Sequence, residues 1–215
     1  TISAKVFYTS PGLVAGIVGN TGWYMTLISM GTAMLGFTFI YLLLKRFPGK
    51  DIVAVFHDTM GGMIGFAFSA TLGLYLLFLA ASTISEFTEV IKIYAFPLTP
   101  PAIMIGILVA GVLTLSLLGI ESLARFAKLS IYAMLFGIAL ILVLGIQNYD
   151  TNRLFPIFGY GVEKVLINGI IRSSSYGEVI ILAVFTGSLQ GVHHIKKAGY
   201  TGLLLSGMLI SLSLL

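Results

Sequence analysis

The residues best suited to chemistry form one polar stretch inside an apolar segment. The stretch comprises Arg172, three consecutive serines, Tyr176, Gly177 and Glu178. A helix broken here at membrane depth would free backbone groups, which is tolerated only where they line a cavity or meet a ligand. The partly positive start of a new half-helix would suit a substrate carboxylate, and the serine hydroxyls could donate to the same group.

Glu178 has several possible roles within this stretch. It could meet a substrate ammonium, carry a proton, or pair with Lys5 or Arg172. In the competing interpretation, the serines bond back to their own helix and Arg172 extends toward the interface. A charge at mid-bilayer costs roughly 2.5–3.5 kcal/mol on insertion scales, so we favour a ligand or ion cavity.

A second candidate break lies near the beginning of the chain. Ser3, Ala4 and Lys5 precede Pro11, although a lysine so close to a terminus could simply extend toward headgroups. If residues 2–18 are the remainder of a first helix, the two breaks fall on helices one and six. That spacing is typical of transporters built from two inverted five-helix repeats.

Other polar groups give weaker signals. Glu86 and Glu89 share a helical face, and a solvated helix end explains them better than a catalytic pair.

His193 and His194 are adjacent, so they point to different faces, and we place them in a connector rather than a metal site. There is no cysteine, phosphate loop, nucleophile elbow or metalloprotease motif. We therefore predict no catalytic residue, no metal, no cofactor and no enzymatic activity.

The amino-acid composition indicates that the chain is surrounded by lipid rather than water. The chain is 58% hydrophobic and 9% charged, with a mean hydropathy of +1.04, whereas soluble domains carry roughly 25% charged residues. The net charge of +4 does not indicate nucleic acid, because the basic residues lie in short connectors between apolar runs. We predict a polytopic, all-α transmembrane bundle within a lipid bilayer.

The apolar runs are long enough to cross a membrane, which takes about 20 residues. Their continuity favours helices over the alternating pattern of a barrel. The expected spans are residues 23–44, 61–84 (with the helix continuing toward Pro97), 102–119, 131–146, 165–189, and 200–215.

The connectors predict an orientation. Seven basic residues fall on one side if the spans alternate: Lys45, Arg46, Lys50, Arg125, Lys128, Lys196 and Lys197. Lys92, Arg153 and Lys164 fall on the other. The excess marks the first side as cytoplasmic, with the connector at 147–161 facing outward.

Glycine-x-x-x-glycine motifs begin at Gly12, Gly61 and Gly187. They allow close helix approach, and we favour ordinary packing within the chain over a dedicated dimer face. The chain begins at Thr1 and ends inside an apolar run at Leu215, so we expect truncation at both ends.

Four motifs, in this order and spacing, resemble the spore germination permease family, the B-type membrane subunits of nutrient germinant receptors. They are residues 44–50 (LKRFPGK), Glu86-Phe87 with Thr99-Pro100, residues 154–161 (LFPIFGYG), and residues 175–178 (SYGE). The resemblance implies the amino acid–polyamine–organocation superfamily and a LeuT-like inverted-repeat fold. The chain would be one transmembrane domain, 1–215, with a first repeat at 1–146 and the start of a second at 162–215. It would run from part of helix one to the start of helix seven.

The resemblance also implies a ligand site between the breaks of helices one and six, against helix three. On this sequence the site would comprise Ser3, Ala4, Lys5, Leu79, Ser82, Ser174, Ser175, Tyr176, Gly177 and Glu178. Ala4 stands where the family usually has glycine, and Lys5 adds a charge that makes sodium dependence less expected.

Three functions remain open. The resemblance implies a nutrient-sensing subunit that works with A-type and C-type subunits in the inner membrane of the bacterial endospore. Its ligand would be a small nutrient such as an amino acid, and its output germination. A proton-coupled amino acid transporter and a purely structural partner are the alternatives, because a fold does not fix a function.

Overall fold

Every regular element that the computed structural model describes is a helix. The structure describes residue 14 and residues 16–145, 161–188 and 192–214. A 3₁₀ turn at Gly19–Thr21 leads into the first of the seven α-helices whose bounds are given within these described residues. They are α1 (Gly22–Arg46), α2 (Ile52–Tyr94), α3 (Pro101–Leu117), α4 (Ile120–Gly145), α5 (Val162–Arg172), α6 (Ile181–Val184) and α7 (Val192–Ser213). In the order expected from the resemblance, α1 is the second helix and α2 the third.

Four described segments are long and apolar enough to cross a membrane, which confirms a polytopic all-α membrane protein. They are Gly16–Arg46, Ile52–Tyr94, Ile120–Gly145 and Val162–Val184. Pro101–Leu117 is apolar but shorter. Large side chains such as Phe66, Phe78 and Phe136 are about seven-tenths exposed, which suits hydrocarbon as the surrounding solvent.

Local sequence signals set the helix ends. Phe47 precedes Pro48, which disfavours α conformation, so α1 ends at Arg46. Asp51 caps α2, its Oδ1 accepting a hydrogen bond from the Ala54 amide at 2.7 Å. Pro101 occupies the first turn of α3, where the missing amide costs nothing.

Several helices begin earlier than the spans predicted from hydropathy. The α2 helix starts at Ile52 rather than residue 61, and α4 starts at Ile120 rather than residue 131. Polar residues near these starts, such as His57 and Asp58 in α2 and Glu121 in α4, lower the local hydropathy without stopping a helix. The α7 helix likewise includes Val192 onward, so placing His193 and His194 in a connector was wrong: both are exposed on its beginning.

Gly61 produces a kink inside α2. Its φ of 78° and ψ of 172° belong to a region that essentially only glycine adopts. A Cβ on Gly65 would lie 2.8 Å from the Phe56 carbonyl oxygen, so the chain folds back closely at this point. In this Gly-x-x-x-Gly motif, Gly61 therefore supplies the kink, and Gly65 allows the close approach of the chain to Phe56.

The chain divides into two compact units, residues 1–79 with 151–215, and residues 80–150. In the smaller unit, α3 packs against α4. In the larger unit, α1 is the central helix and contacts α5 and α7. Its core includes Phe37, Leu72, Tyr176, Ala183 and Leu203.

Glycines and hydroxyls join the helices of the larger unit. Gly199 of α7 lies directly under the Phe37 ring, and Gly169 of α5 lies under Ile28. The Ser29 hydroxyl donates to the Gly169 carbonyl at 2.7 Å, and Ser211 of α7 donates to the Trp23 carbonyl at 3.0 Å. Small residues and interhelical hydrogen bonds of this kind hold helices together in lipid.

These contacts also fix the direction of α7 relative to α1. Ser211 lies beside the beginning of α1, while Lys196 Nζ lies 5.7 Å from the Tyr41 ring near the end of α1. The two helices are therefore antiparallel. The basic pairs Lys45–Arg46 and Lys196–Lys197 lie at one end of this unit, as the predicted orientation requires of them.

Candidate functional site

The polar stretch that follows α5 remains helical. Ser173–Ile180 form a 3₁₀ helix, and the flanking residues Arg172 (φ −72°, ψ −11°) and Ile181 (φ −57°, ψ −34°) are also right-handed. The predicted unwinding of the backbone was therefore wrong. The 3₁₀ pattern keeps i→i+3 bonds, which satisfy the backbone at membrane depth without opening the helix. The α6 helix continues directly from this 3₁₀ helix, and the Ile181 amide donates to the Glu178 carbonyl, so this amide is not free to receive a carboxylate.

The serines explain part of this tightening. The Ser173 hydroxyl donates to the Ile170 carbonyl at 2.7 Å, which is the back-bonding expected in the competing interpretation. Serine and glycine also have lower helix propensity than the aliphatic residues on either side. The stretch is consequently a 3₁₀ helix rather than an α-helix, and it continues without a break between the flanking helices.

One face of the 3₁₀ helix nevertheless borders a cleft of about 460 Å³ within the larger unit. The 3₁₀ helix contributes Ser173, Ser174, Tyr176, Gly177, Val179 and Ile180, and α5 contributes Ile171. The opposite wall belongs to α1, with Thr32, Ala33, Gly36, Phe37 and Ile40, and α2 adds Tyr75. The volume falls within the range of roughly 300–1,000 Å³ that is typical of small-molecule pockets.

Gly177 allows a close contact across this cleft. The Tyr75 hydroxyl lies so near the Gly177 backbone that an added Cβ would overlap it, while the rest of the ring is no closer than 3.7 Å. Glycine is therefore the residue that fits beneath the phenol. The contact holds a polar group of α2 against the 3₁₀ helix.

Tyr176 supplies the second phenol. Its side chain is only 2% exposed, and its hydroxyl has no hydrogen-bond partner within the described part of the chain. Buried hydroxyls are usually hydrogen-bonded because an unsatisfied one costs free energy. Tyr176 also borders the cleft, so a rearrangement of the 3₁₀ helix would let this hydroxyl reach a polar ligand atom.

Glu178 is also buried, at 5% exposure, but it is not among the residues that line the cleft. Ser175 is exposed and lies outside the lining as well. The two adjacent serines therefore differ: Ser174 borders the cleft and Ser175 does not.

The remaining predicted site residues are not gathered here. Leu79 and Ser82 lie on α2, both partly buried and outside the cleft lining, and Ser82 belongs to the smaller unit. Ser3, Ala4 and Lys5 lie outside the described residues.

Sequence reasoning missed Tyr75 and the α1 wall. Tyr75 is a single aromatic residue within a long apolar run, and its position over Gly177 depends on how α2 crosses the 3₁₀ helix. Thr32 and Gly36, four residues apart on α1, were the available signal, because they mark one small, partly polar helical face.

No group of three or more histidine, aspartate or glutamate side chains that could hold a metal ion occurs among the residues the structure describes. The cleft offers hydroxyls and apolar surface, and no charged residue lines the described part of it. This chemistry suits a small ligand held by hydrogen bonds and apolar contacts.

The comparisons with known proteins agree on one family. A family model described as "Spore germination protein" matches residues 5–215. "Spore germination protein KB" of Bacillus subtilis (strain 168) is 26% identical over 209 residues, which cover 95% of this chain and 55% of that protein. "Putative spore germination protein YfkT" of the same organism is 26% identical over 179 residues, covering 80% of this chain and 48% of that protein. The chain thus spans about half the length of the curated relatives it matches. No solved structure is significantly similar.

Proposed function

The chain belongs to the spore germination protein family, and from this premise we propose that it is a membrane subunit of a nutrient germinant receptor. Its ligand is a small nutrient such as an amino acid, bound in the cleft between α1, Tyr75 and the 3₁₀ helix. The family membership supports a role in spore germination, and the hydroxyl and apolar residues that line the cleft support a small ligand.

The observation that carries the proposal is the Tyr176 hydroxyl. It is buried beside a cleft of about 460 Å³ and lacks a partner among the described residues. Ser174 and Tyr75 also line this cleft, while Phe37 and Ile40 form its apolar wall. A ligand with one polar end and one apolar end matches both sets of groups.

Binding acts through the 3₁₀ helix in this proposal. A mid-helix 3₁₀ stretch often marks a hinge, because it differs from α-helix by a small change in backbone angles. A nutrient shifts the receptor between conformations only by its differential affinity for them. If the 3₁₀ helix rearranges between the two conformations, contacts to Ser174 and Tyr176 make the ligand's affinity for one conformation higher than for the other.

The adjacent serines provide the test. Ser174→Ala in the full-length protein is expected to weaken germination in response to a mixture of the twenty amino acids, because it removes a hydroxyl from the cleft. Ser175→Ala makes the same chemical change outside the cleft and is expected to leave the response unchanged. Germination is followed as the fall in optical density of a spore suspension, with membrane levels of each variant measured by immunoblot. Equal responses in the two variants at equal protein levels would count against the site.

Glu178 favours the second candidate, a proton-coupled amino acid transporter. Its carboxylate is buried within a membrane-spanning segment, and intramembrane carboxylates commonly relay protons. Uptake of labelled amino acids into proteoliposomes, driven by a pH gradient and abolished by Glu178→Gln, would favour transport over sensing.

The partners and the larger architecture belong to the same proposal. A-type and C-type receptor subunits are the expected protein partners, in the inner membrane of the endospore, and their copurification with the full-length protein is the test. The LeuT-like arrangement, with repeats at 1–146 and 162–215, is likewise proposed, and an experimental structure of the full-length protein tests it.

A further inference from the structure

A groove runs along the end of α1, separate from the cleft described above. Its volume is about 600 Å³, and its described lining consists of Phe39, Leu42, Leu43, Lys45 and Arg46, here named the basic groove. Phe39, Leu42, Leu43 and Arg46 follow i, i+3, i+4 and i+7 spacing, so they form one stripe on the helix. Phe39 and Leu42 are 73% and 50% exposed, so this stripe presents apolar surface outward.

The stripe is apolar at one end and cationic at the other. Seven residues of α-helix rise about 10 Å, so the apolar part extends that far from Arg46 toward the interior of the predicted span. The α1 helix ends at Arg46, immediately before Phe47 and Pro48. The cations therefore lie where the span ends, at the depth of the lipid headgroups.

The charged side chains near the end of α1 differ in whether they have a partner. Lys50 pairs with Asp58 at 2.5 Å, and the Asp51 carboxylate caps α2. Lys45 and Arg46 form no ion pair with any residue that the structure describes. Lys196 adds a third cation nearby, since it lies over Tyr41, one helical turn before Lys45.

We propose that the basic groove binds one anionic phospholipid, with its phosphate on Lys45 and Arg46 and an acyl chain along Phe39, Leu42 and Leu43. A guanidinium presents paired donors to phosphate oxygens, and the neighbouring ammonium adds a point charge. Basic pockets on the cytoplasmic side of transmembrane helices are suited to anionic headgroups. The charge complementarity and the apolar stripe leading into the membrane favour a lipid over a protein occupant.

For the test, the full-length protein is first placed in nanodiscs of phosphatidylcholine with one-quarter phosphatidylglycerol. It is then extracted and purified in detergent, and the lipids that remain bound to it are quantified by mass spectrometry. Lys45→Gln combined with Arg46→Gln is expected to lower the retained phosphatidylglycerol roughly tenfold or more relative to phosphatidylcholine, because two headgroup contacts are lost. Lys164→Gln, which removes an exposed lysine at the opposite end of the larger unit, is the control and is expected to change nothing.

A second variant separates the site from bulk charge. Leu42→Trp fills the groove and keeps both cations, and it is expected to reduce phosphatidylglycerol retention as well. Unchanged retention in either groove variant, or an equal loss in Lys164→Gln, would overturn the proposal. A photocrosslinking amino acid at Phe39 that captures a protein chain instead of phospholipid would also overturn it.

Discussion

At the scale of single residues, the site depends on a few hydroxyls and one glycine. The sequence alone located the polar stretch from Arg172 to Glu178, because charged and hydroxyl residues are costly within an apolar span. The structure shows that its residues differ: Ser174 and Tyr176 border the cleft, whereas Ser175 and Glu178 do not. Which side each residue faces depends on the local 3₁₀ geometry, which hydropathy does not record.

The contact between Gly177 and Tyr75 yields a prediction. Gly177→Ala places a Cβ against the Tyr75 hydroxyl, and overpacking of this kind typically costs about 1–3 kcal/mol. Tyr75→Phe removes the clashing atom, so the penalty of Gly177→Ala is expected to fall sharply in that background. The free energy of unfolding of the full-length protein in mixed micelles, measured for all four members of the cycle, checks this.

Gly187→Ala is the matched control, because no group of the described residues lies within 4 Å of a Cβ at that position. Additive effects of Gly177→Ala and Tyr75→Phe would show that the two residues do not touch.

At the scale of helices, hydropathy predicted the number and type of helical segments better than the residues at which they begin and end. It placed the start of the second span at Gly61, whereas the helix begins at Ile52 and bends at that glycine. A glycine at the boundary of an apolar run does not reveal whether it ends a helix or kinks one. The 3₁₀ helix was missed for a related reason, since serine and glycine weaken α-helix without specifying what replaces it.

The packing of α7 on α1 yields a second prediction. Gly199 lies against the buried Phe37 ring, whereas a Cβ at Gly202 of the same helix would have no neighbour within 4 Å among the residues that the structure describes. Gly199→Ala is therefore expected to destabilise the full-length protein by about 1–3 kcal/mol through overpacking. Gly202→Ala is expected to change stability far less, and denaturant titration in mixed micelles compares the two. A larger loss from Gly202→Ala than from Gly199→Ala would mean that α7 presents a different face to α1.

At the scale of the whole molecule, composition and resemblance identified the class. The low charge content predicted a membrane protein, and the four apolar segments confirm this. The motif order predicted the family that the comparisons then showed across residues 5–215. The chain spans about half the length of its curated relatives, so the activity of the whole protein is a proposal.

The central claim is that a nutrient occupies the cleft beside the 3₁₀ helix. This chain contains no cysteine, so thiol labelling is the direct test. Ser174→Cys and Ser175→Cys are each introduced into full-length protein that is otherwise free of cysteine. Labelling by a small methanethiosulfonate reagent is then timed with and without the amino acid mixture. The account predicts that the mixture slows labelling at position 174 and leaves position 175 unaffected; equal rates with and without the mixture at position 174 would contradict it.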